Sequence, residues 1–281
     1  MELIVKETRI HLLVLIDFVS ALLFFLVLGV PLWISAWAAR SLGSWVPSFW
    51  FWILSPAVLF VGAFSLVFTT FLCRMCLPSL KEGSFEFPAD WTAKAWVIRL
   101  ALQRILFHPF IWGFLCSFFC FRFLTLKALG ADIPYDFQAA INVAILDPEF
   151  LVAAENVQLG SDVIIASHYV DHSKLVIKKV FLGRGVTIYG KTLIMPGSEI
   201  DDDVTIGLDC IIGVNCKIGQ KSYLQAGCLL GTGVTIGKSV KIGPRAVIGA
   251  GATVLDGAVI EAGAVIEKGA VVQAEVRGKA E

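Results

Sequence analysis

Hydrophobic residues are arranged in two different ways along this chain. Before about residue 130 they come in long unbroken runs; from about Leu159 they come singly, at a fixed interval. Between Phe18 and Cys73 the one charged residue is Arg40, which divides the stretch into Phe18–Ala39 and Ser41–Cys73. A helix needs roughly 20 apolar residues to cross a bilayer, and both runs are longer than that. A secretory signal has a shorter apolar region and ends at a small-residue cleavage site. Two membrane spans are therefore a better reading than a signal followed by a buried helix. Trp33, Trp37, Trp45, Trp50 and Trp52 surround the turn at Arg40, as an aromatic belt at one interface does.

A third apolar run, Ile105–Phe121, lies between Arg104 and Arg122 and is interrupted by His108-Pro109. It is short for a span and proline kinks a helix. The pattern predicts a re-entrant or in-plane helix, with a third span as the alternative. Trp91–Arg104 mixes Trp96, Val97, Ile98, Leu100 and Leu102 with Lys94, Arg99 and Arg104, the pattern of an amphipathic helix on anionic headgroups. Ser79–Ala89, with Pro78, Gly83 and Pro88 in or beside it, reads as a loop. Lys6 and Arg9 precede the first run, and Arg74, Lys81, Lys94, Arg99, Arg104, Arg122 and Lys127 follow the second. Positive charge stays in the cytoplasm, so both ends of the hairpin face it. Asp17 then sits at the cytoplasmic edge as a solvated boundary residue.

From Val180 the chain parses into hexads without a gap: VFLGRG, VTIYGK, TLIMPG, SEIDDD, VTIGLD, CIIGVN and onward to AVVQ. The third position is aliphatic in every one, from Leu182 through Ile188, Ile212 and Ile248 to Val272, and the first is small or β-branched. Glycine recurs at the fourth, as in Gly183, Gly207, Gly213, Gly219 and Gly249. One aliphatic per short flat face, beside a small residue and a glycine at the bend, describes a parallel β-helix. Leu159-Gly160 and Ile165-Ala166 belong to an earlier coil of the same kind. Cys210, Cys216 and Cys228 all stand at first positions and read as small core fillers.

Composition agrees with this division. The 281 residues are 57% hydrophobic and 16% charged, against about 45–50% and 25% for a soluble domain. Such a chain is too apolar for disorder. The 23 basic and 23 acidic residues cancel, which argues against nucleic acid as a partner. Seven cysteines without regular pairing do not form a secreted disulfide framework. Cys73-Arg-Met-Cys76 is a lone CxxC with no second pair.

The repeat breaks once, across Ala166-Ser-His-Tyr-Val-Asp-His-Ser-Lys-Leu175. That stretch carries His168 and His172, half of the four histidines, with Asp171 between them. A loop leaving a rigid solenoid is a common place for function, and histidine is the side chain suited to take a proton near neutral pH.

The β-helix resembles the hexapeptide-repeat acyltransferase superfamily. Its left-handed coils take three hexads each, and its members move an acyl group from CoA to a hydroxyl or amine. Ile164-Ile-Ala-Ser-His168 and the polar loop after it match the place of the family's catalytic histidine. Membrane helices, then Phe123–Ala131, then a β-helix with a histidine loop and Pro196-Gly197, are similar to the membrane-bound C-terminal domains of poly-lysine-type nonribosomal peptide synthetases. The fold implied is an α + β membrane protein, with N-terminal transmembrane helices followed by a left-handed parallel β-helix. Its parts are a membrane hairpin over 1–76, an amphipathic linker and further membrane helix over 77–130, a β-helix over 131–275 with the loop at 166–175, and a tail over 276–281.

The resemblance implies acyl-CoA or acetyl-CoA as donor, no metal, a homotrimer with sites between subunits, and a β-helix on the cytoplasmic side of an integral membrane protein. His168 is then the general base, with His172 as the alternative, and Asp171 orients the imidazole. Lys191, Lys217, Lys221, Lys238, Lys241 and Arg245 are the cations available to the CoA phosphates. A membrane-proximal or lipid-linked acceptor is implied by location. Two other readings stand beside this one. A γ-carbonic-anhydrase-like metal enzyme needs three histidine ligands, whereas His11 and His108 lie in the membrane half. The other is a noncatalytic hexapeptide-repeat scaffold.

Overall fold

The computed structural model describes residues 29–41, 48–86, 89–140 and 142–273, without the side chains of 48–57. Lys6, Arg9, His11, Asp17, Trp45, the first half of the first predicted span and the tail over 276–281 lie outside the described residues. The chain divides into two compact units, one helical and one formed by Glu82–Phe85 with Gly130–Glu281.

In the helical unit, residues 29–41 are helical throughout (α1). They are followed by α2 (Ser48–Cys76), α3 (Trp91–Leu106), α4 (Pro109–Cys116) and α5 (Phe119–Ala128). Among the described residues α2 is the one helix long and apolar enough to cross a membrane, over Val58–Cys76. Its inner side, Ala63, Leu66 and Val67, packs with Leu102, Ile105 and Leu106 of α3, Leu115 of α4 and Phe121 and Ala128 of α5. Phe64 meets Phe121 edge to face with ring centroids 5.0 Å apart.

One alternative falls here and one expectation changes. Ile105–Phe121 does not form a continuous span. Pro109 opens α4, which is 8 residues long and stops at Ser117. At 1.5 Å per residue that is about 12 Å, well short of the roughly 30 Å hydrocarbon core. Arg99 does not face headgroups either: it is 7% exposed. Its Nε and Nη2 donate to the carbonyl of Pro78 at 2.9 and 2.6 Å, and Nη2 also to that of Leu77 at 3.2 Å. These carbonyls follow the end of α2, where no helical donor remains, and a guanidinium supplies several at once. Lys94 and Arg104 are exposed.

The second unit is a three-sided parallel β-helix. Three seven-stranded parallel sheets form its faces, and each coil contributes one strand to each. The first face begins at Gln138–Ala139, the second at Ala144–Leu146 and the third at Leu151–Ala153. Thr187 pairs with Thr205, and Thr205 with Tyr223, so successive coils stack in register. The third-position aliphatics point inward and are buried, Ile194 and Ile212 completely.

The small first-position residues fill space and also satisfy backbone. Thr192 Oγ1 donates to the Gly207 carbonyl at 2.9 Å and Ser222 Oγ to that of Gly237 at 2.8 Å. Cys210, Cys216 and Cys228 do the same through sulfur, to Gln225, Gly231 and Gly243 at 3.2, 3.1 and 3.2 Å. Burial pushes the Cys216 thiol up, which keeps it in its protonated, donating form.

Glycine's role at the bends divides between two positions. At the fourth, coils come too close for a side chain: a Cβ on Gly207 would lie 2.6 Å from the Gln225 carbonyl carbon. At the sixth, the backbone is left-handed, and Lys191, Asn215, Lys221 and Arg245 hold φ between 56° and 60° there without being glycine.

Candidate active site

The regular coil is interrupted twice, and both interruptions fall at the corner between the second and third faces. In the first coil a 3-10 turn, Pro148–Phe150, separates Ala144–Leu146 from Leu151–Ala153. In the second coil a β-hairpin separates Ile164–Ala166 from Val180–Leu182. Leu146 pairs with Ala166 across the coils. The residues that follow them, Asp147 on one coil and Ser167-His168 on the next, therefore leave the sheet side by side. Asp147 adopts a left-handed conformation, φ 57° and ψ 68°, one that aspartate accepts more readily than most residues.

At this corner His168 Nδ1 is hydrogen bonded to Asp147 Oδ2. The carboxylate is buried, with 2% of its side chain exposed, while the imidazole keeps 19%. An ionised carboxylate can only accept, so Nδ1 carries the hydrogen and Nε2 is left with its lone pair. That is the tautomer a general base needs.

The expected loop is an ordered antiparallel hairpin. His168–Asp171 pairs with Lys174–Ile177, with His168 opposite Ile177. Its outer edge is covered by Gly83–Glu86, from the stretch expected to be a loop, so the three strands form one sheet. A hairpin edge carries unpaired backbone groups, and a third strand removes them. Glu82 completes the attachment: its Oε2 accepts the Lys179 amide at 3.2 Å and its Oε1 lies 3.7 Å from Lys179 Nζ.

Asp171 does not orient His168. It sits at the hairpin tip, where its Oδ1 pairs with His172 Nδ1 at 2.6 Å. The two side chains are 67% and 95% exposed. His172 is at the turn, with φ 52°, at the opposite end of the strand from His168. The two histidines do not converge, and among the described residues no group of histidine, cysteine and carboxylate has the makings of a metal site.

The six candidate phosphate-binding cations are all exposed and are distributed over other parts of the coil. Lys191 and Arg245 lie at the corner of the first and second faces, and Lys221 and Lys238 at that of the third and first. Lys241 is on the first face and Lys217 on the third, where it pairs with Glu199 at 2.9 Å. None lies at the corner of His168. Sequence reasoning passed over Asp147. The aliphatic pattern hides the interruption: Leu151 follows Ile145 at the usual interval of six, and only the strand register shows that Ala153, two residues later, is the partner of Leu182.

Fold and site together define a class: a helical unit joined to a three-sided parallel β-helix, with one histidine–carboxylate pair at a corner where the coil is twice interrupted. No family model matches the chain, and no similar protein is found among curated ones. Solved structures similar to it include UDP-N-acetylglucosamine O-acyltransferase from Moraxella catarrhalis. That protein is 14% identical, with a TM-score of 0.39, over 51% of this chain and 65% of the other. Perosamine N-acetyltransferase from Caulobacter crescentus, solved with CoA and GDP-perosamine, is 24% identical with a TM-score of 0.33, over 57% of this chain and 59% of the other. A hexapeptide transferase family protein from Anaplasma phagocytophilum is 20% identical with a TM-score of 0.40, over 52% and 84%. The chain thus spans less than two thirds of the length of the first two of these proteins.

Proposed function

We propose that this chain is a membrane-anchored acyltransferase, moving an acyl group from acyl-CoA, acetyl-CoA in the simplest case, to a hydroxyl or amine. The observation that carries this reading is the hydrogen bond between His168 Nδ1 and the buried carboxylate of Asp147. His168 Nε2 takes the proton from the acceptor as its oxygen or nitrogen attacks the thioester carbonyl. The tetrahedral intermediate collapses with cleavage of the C–S bond, and the proton passes from Nε2 to the departing CoA thiolate. A single base serves both halves of the transfer, so no covalent acyl-enzyme is required.

The anchor in this reading is α2 with the first predicted span, and the β-helix lies on the cytoplasmic side. A homotrimer is part of the proposal. Its support is the outward side of the second face, where Ala144, Ile164, Leu193, Ile211, Leu229, Val247 and Val265 stand one above another, all aliphatic. A soluble protein leaves few contiguous apolar patches of this kind without a partner.

The test is acyl-CoA turnover by the full chain in detergent or lipid, against His168→Ala and His172→Ala. Loss of the base is expected to lower kcat by about 10²–10⁴-fold. His172→Ala should retain activity. Full activity in His168→Ala overturns its assignment, and a wild-type chain that binds no acyl-CoA in any lipid favours the noncatalytic scaffold.

A further inference from the structure

Two consecutive lysines follow the hairpin, and their surroundings differ. Lys179 is neutralised by Glu82. The Lys178 Nζ instead donates to the amide oxygen of Asn215 at 2.8 Å, and among the described residues it forms no ion pair with a carboxylate. Lys178 springs from the active corner, where its backbone amide donates to the Ser167 carbonyl at 2.9 Å, one residue before His168. Its stem crosses the next coil at Gly197, where a Cβ would lie 3.0 Å from Lys178 Cδ and 2.3 Å from Asn215 Oδ1. Glycine keeps that path open. The side chain is half-buried and held along the coil axis at its far end.

The arrangement leaves a set of donors with nothing negative to bind. Asn215 Oδ1 accepts one of the three N–H bonds of the ammonium, which leaves two, and the NH2 of the same amide is a further donor group. An ammonium and an amide side by side match the oxygens of a phosphate. Strands in neighbouring coils are about 4.8 Å apart, so the charge lies one to two coils from His168, about 5–10 Å along the axis. A CoA thioester placed at His168 keeps its own phosphates at the far end of the pantetheine arm, well beyond that distance. A phosphate separated from the reacting hydroxyl or amine by one sugar ring, or a short linker of similar length, fits it.

We propose that Lys178, braced by Asn215, binds a phosphate carried by the acyl acceptor. This rests on the acyltransferase reading and narrows its acceptor to a phosphorylated compound. The phosphate can belong to a soluble sugar phosphate or to a phosphorylated lipid, and the charge serves either.

The experiment uses the full chain in micelles, with phosphorus NMR titrations of inorganic phosphate, glucose 1-phosphate and dodecyl phosphate, and a separate titration of CoA. Wild type is expected to bind phosphate, with affinity at least tenfold lower in Lys178→Met and restored in Lys178→Arg. CoA affinity should stay within twofold in both variants. Tighter binding of glucose 1-phosphate than of dodecyl phosphate identifies a soluble acceptor, and the reverse a lipid. Phosphate binding that is absent in wild type, or unchanged in Lys178→Met, overturns the proposal. So does a parallel loss of CoA affinity, which assigns the charge to the donor. If wild type binds phosphate but no CoA, the acyltransferase reading fails while the anion site stands.

Discussion

At the scale of the residue, the chemistry depends on which carboxylate meets His168. Asp171 is the nearer one along the chain, but strand geometry carries it to the exposed tip. Asp147, a whole coil earlier, stacks beside the histidine because coils are in register. Asp147→Asn keeps the shape of the side chain but offers an amide whose NH2 makes Nδ1 an acceptor and puts the hydrogen on Nε2. We predict a fall in kcat of about 10²–10⁴-fold, with KM for acyl-CoA little changed and the thermal melt close to wild type. A shift in KM with kcat retained would place Asp147 in substrate binding instead. The histidine itself was legible because it stands where a strict repeat fails. Its partner was not, because contacts between coils are set by stacking and not by closeness in sequence.

At the scale of the element, six-residue periodicity is close to a full description of the coil. Each position has its own physical role, with an aliphatic in the core, a small donor for the neighbouring coil, a glycine where backbones approach, and a left-handed residue at the corner. These roles predict different penalties. Gly207→Ala introduces a Cβ 2.6 Å from backbone, a contact no side-chain rotation relieves. We expect it to cost about 1–3 kcal/mol, as overpacking does, read as a lower denaturation midpoint by circular dichroism. An unchanged midpoint would mean that the coils can separate locally at little cost. The hairpin and its third strand escaped the pattern for a related reason. Gly83–Glu86 is only four residues, Gly-Ser-Phe-Glu, too short for its pattern to announce a strand, and it pairs where the hairpin has an edge to cover. The interruption of the third apolar run by Pro109 was visible, whereas the burial of Arg99 was not: its partners are carbonyls, which no side-chain pattern reveals.

At the scale of the whole molecule, the excess of apolar residues is accounted for twice over. Part belongs to α2 and the helices packed on it, and part to a solenoid core that takes one aliphatic residue per face per coil. The outward column of the second face is a third use, and the homotrimer proposal rests on it. Leu229 is 40% exposed and points away from the core, so Leu229→Asp should leave the coil folded. Like charges brought together at the threefold would separate the subunits. Light scattering in detergent is expected to fall from trimer to monomer; a trimer that persists places the interface elsewhere.

The sequence by itself determined the division into an apolar helical half and a repeating half, the number of residues per face, and the longer of the two places where the coil gives way. Those are local or periodic properties, written in the order of side chains. Tertiary structure alone decided that Asp147 meets His168, that Glu82 and Gly83–Glu86 secure the hairpin, and that Lys178 reaches Asn215 across Gly197. Each joins residues far apart in the chain that stacking or strand pairing brings together. Distances along the axis of a solenoid are counted in coils, and a coil is many residues long.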